Sequence, residues 1–81
     1  MHKLILTDHA YQRYLQRVKY AKRRKVEREI ADRLFPALCL GLPTIEGGAV
    51  EVMIPGNVSA VCAPNAEGGW VVLTIKYGEA G

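Results

Sequence analysis

The stretch WVVLTIKY, residues 70–77, is the most regular strand pattern in the chain, and the rest of the predicted fold is arranged around it. β-branched and aromatic residues dominate it, and these favour extended backbone. Side chains of a strand alternate between its two faces. One predicted face carries Val71, Leu73, Ile75 and Tyr77 and is the core face; the other carries Trp70, Val72, Thr74 and Lys76. The stretch therefore predicts a strand in a sheet with one buried face.

Two shorter strands are predicted just before it. AVEVMI, residues 49–54, alternates in polarity, and VSAVCA, residues 58–63, is rich in small and β-branched residues. The intervening PGN places Pro55 and Gly56 at the centre of a type II turn, and PNAEGG, residues 64–69, gives a second turn. These segments predict an antiparallel meander of three strands.

A short strand and a helix are predicted at the start of the chain. Residues Lys3–Leu6 form the strand, and Thr7 or Asp8 can cap the helix that follows, to about Lys19. Its apolar residues fall within an arc of roughly 140° on a helical wheel. They are Ala10, Tyr11, Tyr14, Leu15 and Val18. This segment is therefore predicted to be an amphipathic helix.

A second helix follows a basic link, KYAKRRK, at residues 19–25. Its apolar residues recur at helical intervals: Val26, Ile30, Leu34, Ala37 and Leu38. Opposite charges four residues apart predict three surface ion pairs, Lys25/Glu29, Arg28/Asp32 and Glu29/Arg33. Pro36 is expected to end or kink the helix, which stops near Gly41.

The predicted order is β-α-α-β-β-β, which defines an α+β domain. Two amphipathic helices and a sheet with one apolar face are expected to bury these faces against each other, with both helices on one side of the sheet. At 81 residues the chain is predicted to be a single domain, residues 1–81. Because so small a hydrophobic core contributes little to the free energy of unfolding, a homodimer or a bound partner protein would supply further stability.

The composition argues against a metal-binding, redox or membrane protein. The two cysteines, Cys39 and Cys62, lack metal-knuckle or redox spacing and are predicted to be core residues. No metal site or cofactor is expected from the two histidines and scattered carboxylates. The longest apolar stretch, LFPALCLGLP, is about half the ~20 residues that a membrane span needs. A soluble, cytoplasmic protein without membrane contact is the resulting expectation.

Charge is distributed unevenly along the chain. Residues 1–35 contain ten Lys or Arg and four Asp or Glu, a net charge of +6, whereas residues 36–81 carry −3. A concentrated basic surface attracts a polyanion, and RNA is the expected partner. The candidate nucleic-acid-binding residues are Lys19, Lys22, Arg23, Arg24, Lys25 and Lys76. A solvated helix surface rich in Lys and Arg is the alternative interpretation.

A candidate catalytic stripe runs along the first helix. His9, Arg13 and Arg17 are spaced four residues apart and share one face. An imidazole can accept or donate a proton near neutral pH, and a guanidinium can hold a phosphate through two hydrogen bonds. Such groups suit RNA cleavage without a metal, which needs a base, an acid and cations for the phosphoryl charge. Surface or capping residues with no catalytic role would show the same spacing.

LTDHAYQRYLQR, residues 6–17, together with WVVLTIKY, resembles a family of small bacterial and phage proteins. That family opens with T-x-H-A-x-x-R-x-x-x-R and closes with a strand like V-V-T-V-x-Y. It is similar to the barnase, EndoU, colicin and RelE superfamily of metal-independent ribonucleases, many of which are toxins. The RelE-type order of elements is the same as the order predicted here.

The resemblance implies a role for each matching residue. His9 takes the position of the general base or acid, and Arg13 and Arg17 take positions that bind phosphate. Thr74 and Tyr77 match the terminal strand, where a hydroxyl can bind a phosphate oxygen or protonate the leaving group. Thr74 and Tyr77 lie on opposite faces of a regular strand, so a shared site requires a twist or bulge.

The leading hypothesis is a small cytoplasmic endoribonuclease-like domain of toxin or phage origin, a member of the hydrolase class in the broad sense, which cleaves RNA by 2′-hydroxyl attack and can pair with an antitoxin. A regulator that binds nucleic acid through the same basic helical surface, without cleaving it, is the alternative. A module that binds a host or partner protein through a sheet edge or helix face is the third. Only the enzyme depends on proton transfer at His9.

Overall fold

The fold is that of an α+β protein, as predicted. The computed structural model describes residues 3–41 and 48–77. Its elements in chain order are β1 (Leu4–Leu6), α1 (Asp8–Arg17), α2 (Arg23–Cys39), β2 (Val50–Ile54), β3 (Val58–Pro64) and β4 (Trp70–Tyr77). This order confirms the predicted β-α-α-β-β-β arrangement, and β4 has the predicted bounds.

The four strands form one open sheet in the order β1-β4-β3-β2. β3 is antiparallel to both β2 and β4, which confirms the meander. β1 lies beside β4 and runs parallel to it, with Leu6 opposite Val72. This pairing, which the sequence did not predict, makes the sheet mixed and places the start of α1 beside the middle of β4.

The core lies between the helices and one face of the sheet. α1 contributes Ala10 and Tyr14, and α2 contributes Val26, Ile30 and Leu34, all fully buried. The sheet contributes Leu6, Val50, Val52, Ile54, Val58, Ala60, Cys62, Val72 and Ile75. Burial raises the pKa of the Cys62 thiol to about 12. Cys39 is exposed, so the prediction that both cysteines lie in the core is wrong for Cys39, which follows the last buried turn of α2.

A β-bulge at Leu73 changes the faces of β4. Val61 pairs with Thr74 but the next residue, Cys62, pairs with Val72, so Leu73 is an extra residue without a partner on β3. Val72 and Ile75 are consequently the buried residues, and Leu73 is 46% exposed. The predicted core face was therefore wrong at Val71 and Leu73, and Val72, predicted on the other face, lies in the core, because one inserted residue reverses the alternation of side chains before it.

The helices differ from expectation only near their ends. α1 ends at Arg17 rather than near Lys19. α2 continues through Pro36 to Cys39, and the Leu40 N–H donates to the carbonyl of Pro36 at 3.3 Å and to that of Ala37 at 3.1 Å. Within residues 3–41 and 48–77, neither helix combines the length and the apolar character required to cross a membrane.

The β2–β3 turn packs against the end of α1. Gly56 and Asn57 have positive φ angles of 105° and 59°, so the turn uses two left-handed residues. A Cβ atom at Gly56 would lie 2.7 Å from Cγ1 of Val18. Glycine is therefore needed here both for its backbone conformation and for the close approach to Val18.

Candidate functional site

The start of α1 is capped and anchored to the sheet. Thr7 Oγ1 accepts a hydrogen bond from the Ala10 N–H at 3.1 Å and donates one to the Val72 carbonyl at 2.8 Å. Asp8 places a carboxylate in the first turn, where the helix dipole favours negative charge. His9 follows it and is exposed. The sequence places this imidazole at the surface because the buried face begins with Ala10.

Arg23 connects the starts of the two helices. Its Nη1 lies 2.6 Å from Asp8 Oδ1, and its Nη2 donates to the Leu6 carbonyl. The guanidinium also lies 5.7 Å from the centre of the Tyr11 ring, whose hydroxyl donates to the Ala21 carbonyl at 2.7 Å. Arg23, one of the predicted nucleic-acid-binding residues, therefore makes contacts that hold α1, α2 and β1 together.

The start of α2 is strongly basic and uncapped. Its N-cap residue, Lys22, makes no side-chain capping bond, and the first turn contains no acidic residue. A groove of about 230 Å³ opens here, lined by Lys22, Arg24, Lys25 and Arg28. We call this depression, together with its four lining residues, the basic groove. In residues 3–41 and 48–77, none of the four has a carboxylate within 4.0 Å.

The acidic residues of α2 leave the basic groove unneutralised. The predicted pairs Lys25/Glu29, Arg28/Asp32 and Glu29/Arg33 are not among the ion pairs of the described ranges; on α2 only Arg23 and Glu27 approach, at 3.8 Å. Glu29 instead interacts with Tyr14. Burial, the charge of Glu29 and a hydrogen bond to Glu29 raise the pKa of Tyr14.

Arg28 is the member of the basic groove that the sequence interpretation missed. It was assigned to a surface pair with Asp32, although it also follows Arg24 by four residues and Lys25 by three. Side chains at these separations share a helix face. The spacing therefore contained a signal for a cluster of like charge, which the assumed ion pair obscured.

Arg17 and Tyr77 meet at the other end of α1. The Arg17 guanidinium carbon lies 4.5 Å from the centre of the Tyr77 ring. Arg17 Nε is buried and has no hydrogen-bond acceptor in the part of the chain that the structure describes. Tyr77 is 59% exposed. A cation and an aromatic ring separated by 60 positions in sequence are thus held in contact at the surface.

The predicted catalytic residues do not all lie together. His9 and Arg17 are two helical turns apart, about 12 Å along the axis of α1. Arg13 lies between them, and its Nη1 donates to Gln16 Oε1 at 3.1 Å. Thr74 precedes the core residue Ile75 and so lies on the opposite face of the sheet from the helices. Of the five, the structure brings Arg17 and Tyr77 into contact and separates His9 and Thr74 from Tyr77.

The remaining candidate cations are outside the basic groove. Lys76 Nζ lies 2.7 Å from Glu51 Oε1, across the face of the sheet away from the helices. Lys19 is exposed in the link between α1 and α2. Trp70, predicted on the face of β4 away from the core, is half-buried and packs against the core. No group of three or more His, Cys, Asp or Glu side chains in the described ranges could hold a metal ion.

Comparison with known proteins gives no further guidance: the chain matches no protein-family model, no curated protein and no solved structure. Function is therefore argued from the two surface features that the fold creates. One is the basic groove at the start of α2. The other is the Arg17–Tyr77 pair at the end of α1.

Proposed function

We propose that this protein binds nucleic acid, with RNA as the expected ligand, and that the basic groove contacts its phosphates. The observation that carries the proposal is the groove itself: Lys22, Arg24, Lys25 and Arg28 line one depression. No carboxylate of the described residues lies close enough to pair with them. Four cations gathered without counter-charges create a field that attracts a polyanion.

The backbone at this place supports the same proposal. The first N–H groups of a helix have no carbonyl partner within the helix, and the helix dipole adds positive potential there. The first turn of α2 has neither a capping side chain nor an acidic residue of its own to offset this potential. A phosphate oxygen can accept hydrogen bonds from such N–H groups while Lys and Arg side chains neutralise its charge.

A salt titration with a charge-matched control tests the proposal. The affinity of a fluorescein-labelled 12-nucleotide RNA is measured by anisotropy between 50 and 300 mM KCl. The variant Lys25→Gln/Arg28→Gln removes two cations of the groove, and Lys3→Gln/Arg33→Gln removes two exposed cations outside it. Each phosphate contact with a single strand contributes a salt slope of about 0.7, so the groove variant should lower the slope by about 1.4.

The control variant should keep a slope close to that of the original protein. Two results would contradict the proposal. RNA binding that does not depend on the salt concentration would show that the positive charge of the basic groove does not drive it. Equal losses in the two variants would show that net charge, and not the basic groove, determines affinity.

RNA cleavage without a metal is the second candidate function. It is supported by the exposed His9 imidazole, which follows the residue that Arg23 contacts and so lies at the junction of the two helix starts. It is also supported by the resemblance to toxin-like and phage proteins described above. In this reaction the ribose 2′-oxygen loses its proton to a base and forms a bond to phosphorus; the bond to the 5′-oxygen breaks, and that oxygen takes up a proton.

Cleavage is tested with RNA and purified protein in EDTA. The expected products are a 2′,3′-cyclic phosphate and a 5′-hydroxyl, and His9→Ala should abolish them while RNA affinity remains within about two-fold. Cutting by His9→Ala at the original rate would exclude His9 as the base. Binding with no product would leave nucleic-acid binding as the function.

A further inference from the structure

We propose that Arg17 and Tyr77 together bind one unpaired nucleotide, with the base stacked on the Tyr77 ring and a phosphate at the Arg17 guanidinium. This inference rests on the proposed function and specifies its ligand as a single-stranded nucleic acid. The two residues lie at the end of α1 opposite to His9. Their site is therefore separate from the start of α2, where the basic groove begins.

The Tyr77 ring is held in place and still accessible. The guanidinium of Arg17 approaches it to 4.5 Å from the ring centre, which restricts the ring's motion through a cation–π contact. More than half of the residue remains exposed, 59%. A fixed, exposed aromatic ring is a good platform for a nucleobase, because stacking buries apolar area on both partners and little rotational freedom is lost.

Arg17 has one donor, Nε, that is unsatisfied in the part of the chain that the structure describes. Its Nε is buried, and within residues 3–41 and 48–77 it has no acceptor. A buried N–H group without an acceptor costs free energy, and a shift of the side chain that exposed Nε to an anionic oxygen would recover that cost. The planar guanidinium can bind a phosphate with two parallel hydrogen bonds while its face remains against an aromatic ring.

The chemistry favours an unpaired base. In a duplex both faces of each base are covered by neighbouring bases, whereas a single strand can turn a base onto an aromatic side chain. Tyr11 also has a cation near its ring, but that ring is half-buried and the cation, Arg23, is already bonded to Asp8. Tyr20 is 78% exposed, but among the described residues no cation lies over its ring. Tyr20 is therefore a matched control for Tyr77.

The test compares the affinities of Tyr77→Leu, Tyr77→Phe and Tyr20→Leu for a 12-nucleotide RNA, the DNA strand of the same sequence, and the corresponding duplexes. Tyr77→Leu should weaken binding of both single strands at least ten-fold and change duplex binding less than two-fold. Tyr77→Phe keeps the ring and should bind within about two-fold of the original protein, as should Tyr20→Leu. RNA and DNA strands should behave alike, because base and phosphate are common to both.

A second measurement avoids dependence on the folding of any variant. In NMR titrations of the unmodified protein with a mononucleotide, stacking should shift the ring protons of Tyr77 upfield and leave those of Tyr20 unchanged. Unshifted Tyr77 protons, or a Tyr77→Leu protein that binds single strands normally, would overturn the inference.

The outcomes also separate this inference from the proposed function. Loss of affinity on neutralising the basic groove, with no effect of Tyr77→Leu, would overturn the inference alone and leave nucleic-acid binding standing. Failure of the unmodified protein to bind any strand or duplex would overturn both.

Discussion

The starts of α1 and α2 lie side by side and are built in opposite ways. α1 begins with a Thr7 cap and an acidic residue, Asp8, in its first turn. α2 begins with Lys22, has no capping bond, and has no acid in its first turn. Arg23 bonds to Asp8, so the two starts are in direct contact. The first turn of α1 therefore offsets the positive end of its helix dipole, whereas the first turn of α2 adds positive charge to it.

The difference in capping and charge indicates that the start of α1 serves stability and the start of α2 serves binding. Capping and negative charge stabilise a helix start, so α1 follows the pattern expected of a structural element. Cations at the start of α2 repel each other and the positive end of the dipole, which lowers stability. A segment that gives up stability in this way is typical of a binding surface. Four experiments test whether the two helix starts differ in this way.

Reversing charge in the basic groove should have the largest effect. Arg24→Glu/Arg28→Glu is expected to lower RNA affinity at about 100 mM salt by at least 100-fold, equivalent to about 2.7 kcal/mol, because attraction of the phosphates becomes repulsion. Fluorescence anisotropy measures the change. Thermal unfolding should show an unchanged or higher midpoint; a lower midpoint would mean that these residues serve the fold.

Removing the cap of α1 should reduce stability instead. Thr7→Ala loses the bond to Ala10 and the bond to the Val72 carbonyl, at about 1 kcal/mol each, so the free energy of unfolding should fall by about 2 kcal/mol. Urea denaturation followed by circular dichroism provides the value. Thr7→Ser retains the hydroxyl and should lose much less, and the folded fraction of both variants should bind RNA normally.

Adding a cap to α2 should separate stability from binding. Lys22→Asp supplies the missing capping oxygen and a negative charge, so the free energy of unfolding should rise by about 1 kcal/mol. RNA affinity should fall several-fold in the same protein. Lys22→Gln, which removes the charge without adding a strong cap, should weaken binding with little change in stability. A Lys22→Asp protein that binds RNA more tightly would contradict the account.

The smallest effect concerns the contact between Tyr14 and Glu29. The pKa of Tyr14 is raised by burial and by Glu29, so the folded protein favours the protonated phenol. Stability is therefore full below about pH 10, where an unfolded tyrosine titrates, and is lost as pH rises further. Tyr14→Phe should remove this alkaline loss, as seen in urea denaturation at pH 9 and pH 11, whereas Tyr20→Phe should retain it.

Tyr14→Phe should also affect binding through Glu29. Once released from Tyr14, the carboxylate can pair with Lys25 four residues before it and partly neutralise the basic groove. RNA affinity should consequently fall about two-fold. An increase in affinity would show that Glu29 does not compete for the groove.

Local sequence patterns predicted the elements well. The alternation of residues 70–77 predicted the bounds of β4, and the pair Thr7 and Asp8 marked the start of α1, because strand periodicity and helix capping depend on neighbours in sequence. The bulge at Leu73 was not predicted, since it arises from how β4 pairs with β3. The parallel pairing of β1 with β4 is likewise a property of the assembled sheet.

The candidate site was predicted only in part for the same reason. Lys22, Arg24 and Lys25 lie within four consecutive positions, and their shared surface followed from the charge count. The salt bridge between Arg23 and Asp8 forms only because the starts of α1 and α2 lie side by side in the folded protein. The interaction of the Glu29 carboxylate with Tyr14 depends on how α1 and α2 pack against each other. Contacts between distant segments therefore decide which cations remain available, and spacing along the chain does not record them.

The most direct test follows individual backbone amides by 15N–1H NMR while the 12-nucleotide RNA is added. The account predicts that the amide signals of Arg23, Arg24 and Lys25, at the uncapped start of α2, shift progressively, whereas that of Ala10, already bonded to Thr7, stays in place. Shifts that avoid these three amides while others move would contradict a phosphate-binding role for the start of α2.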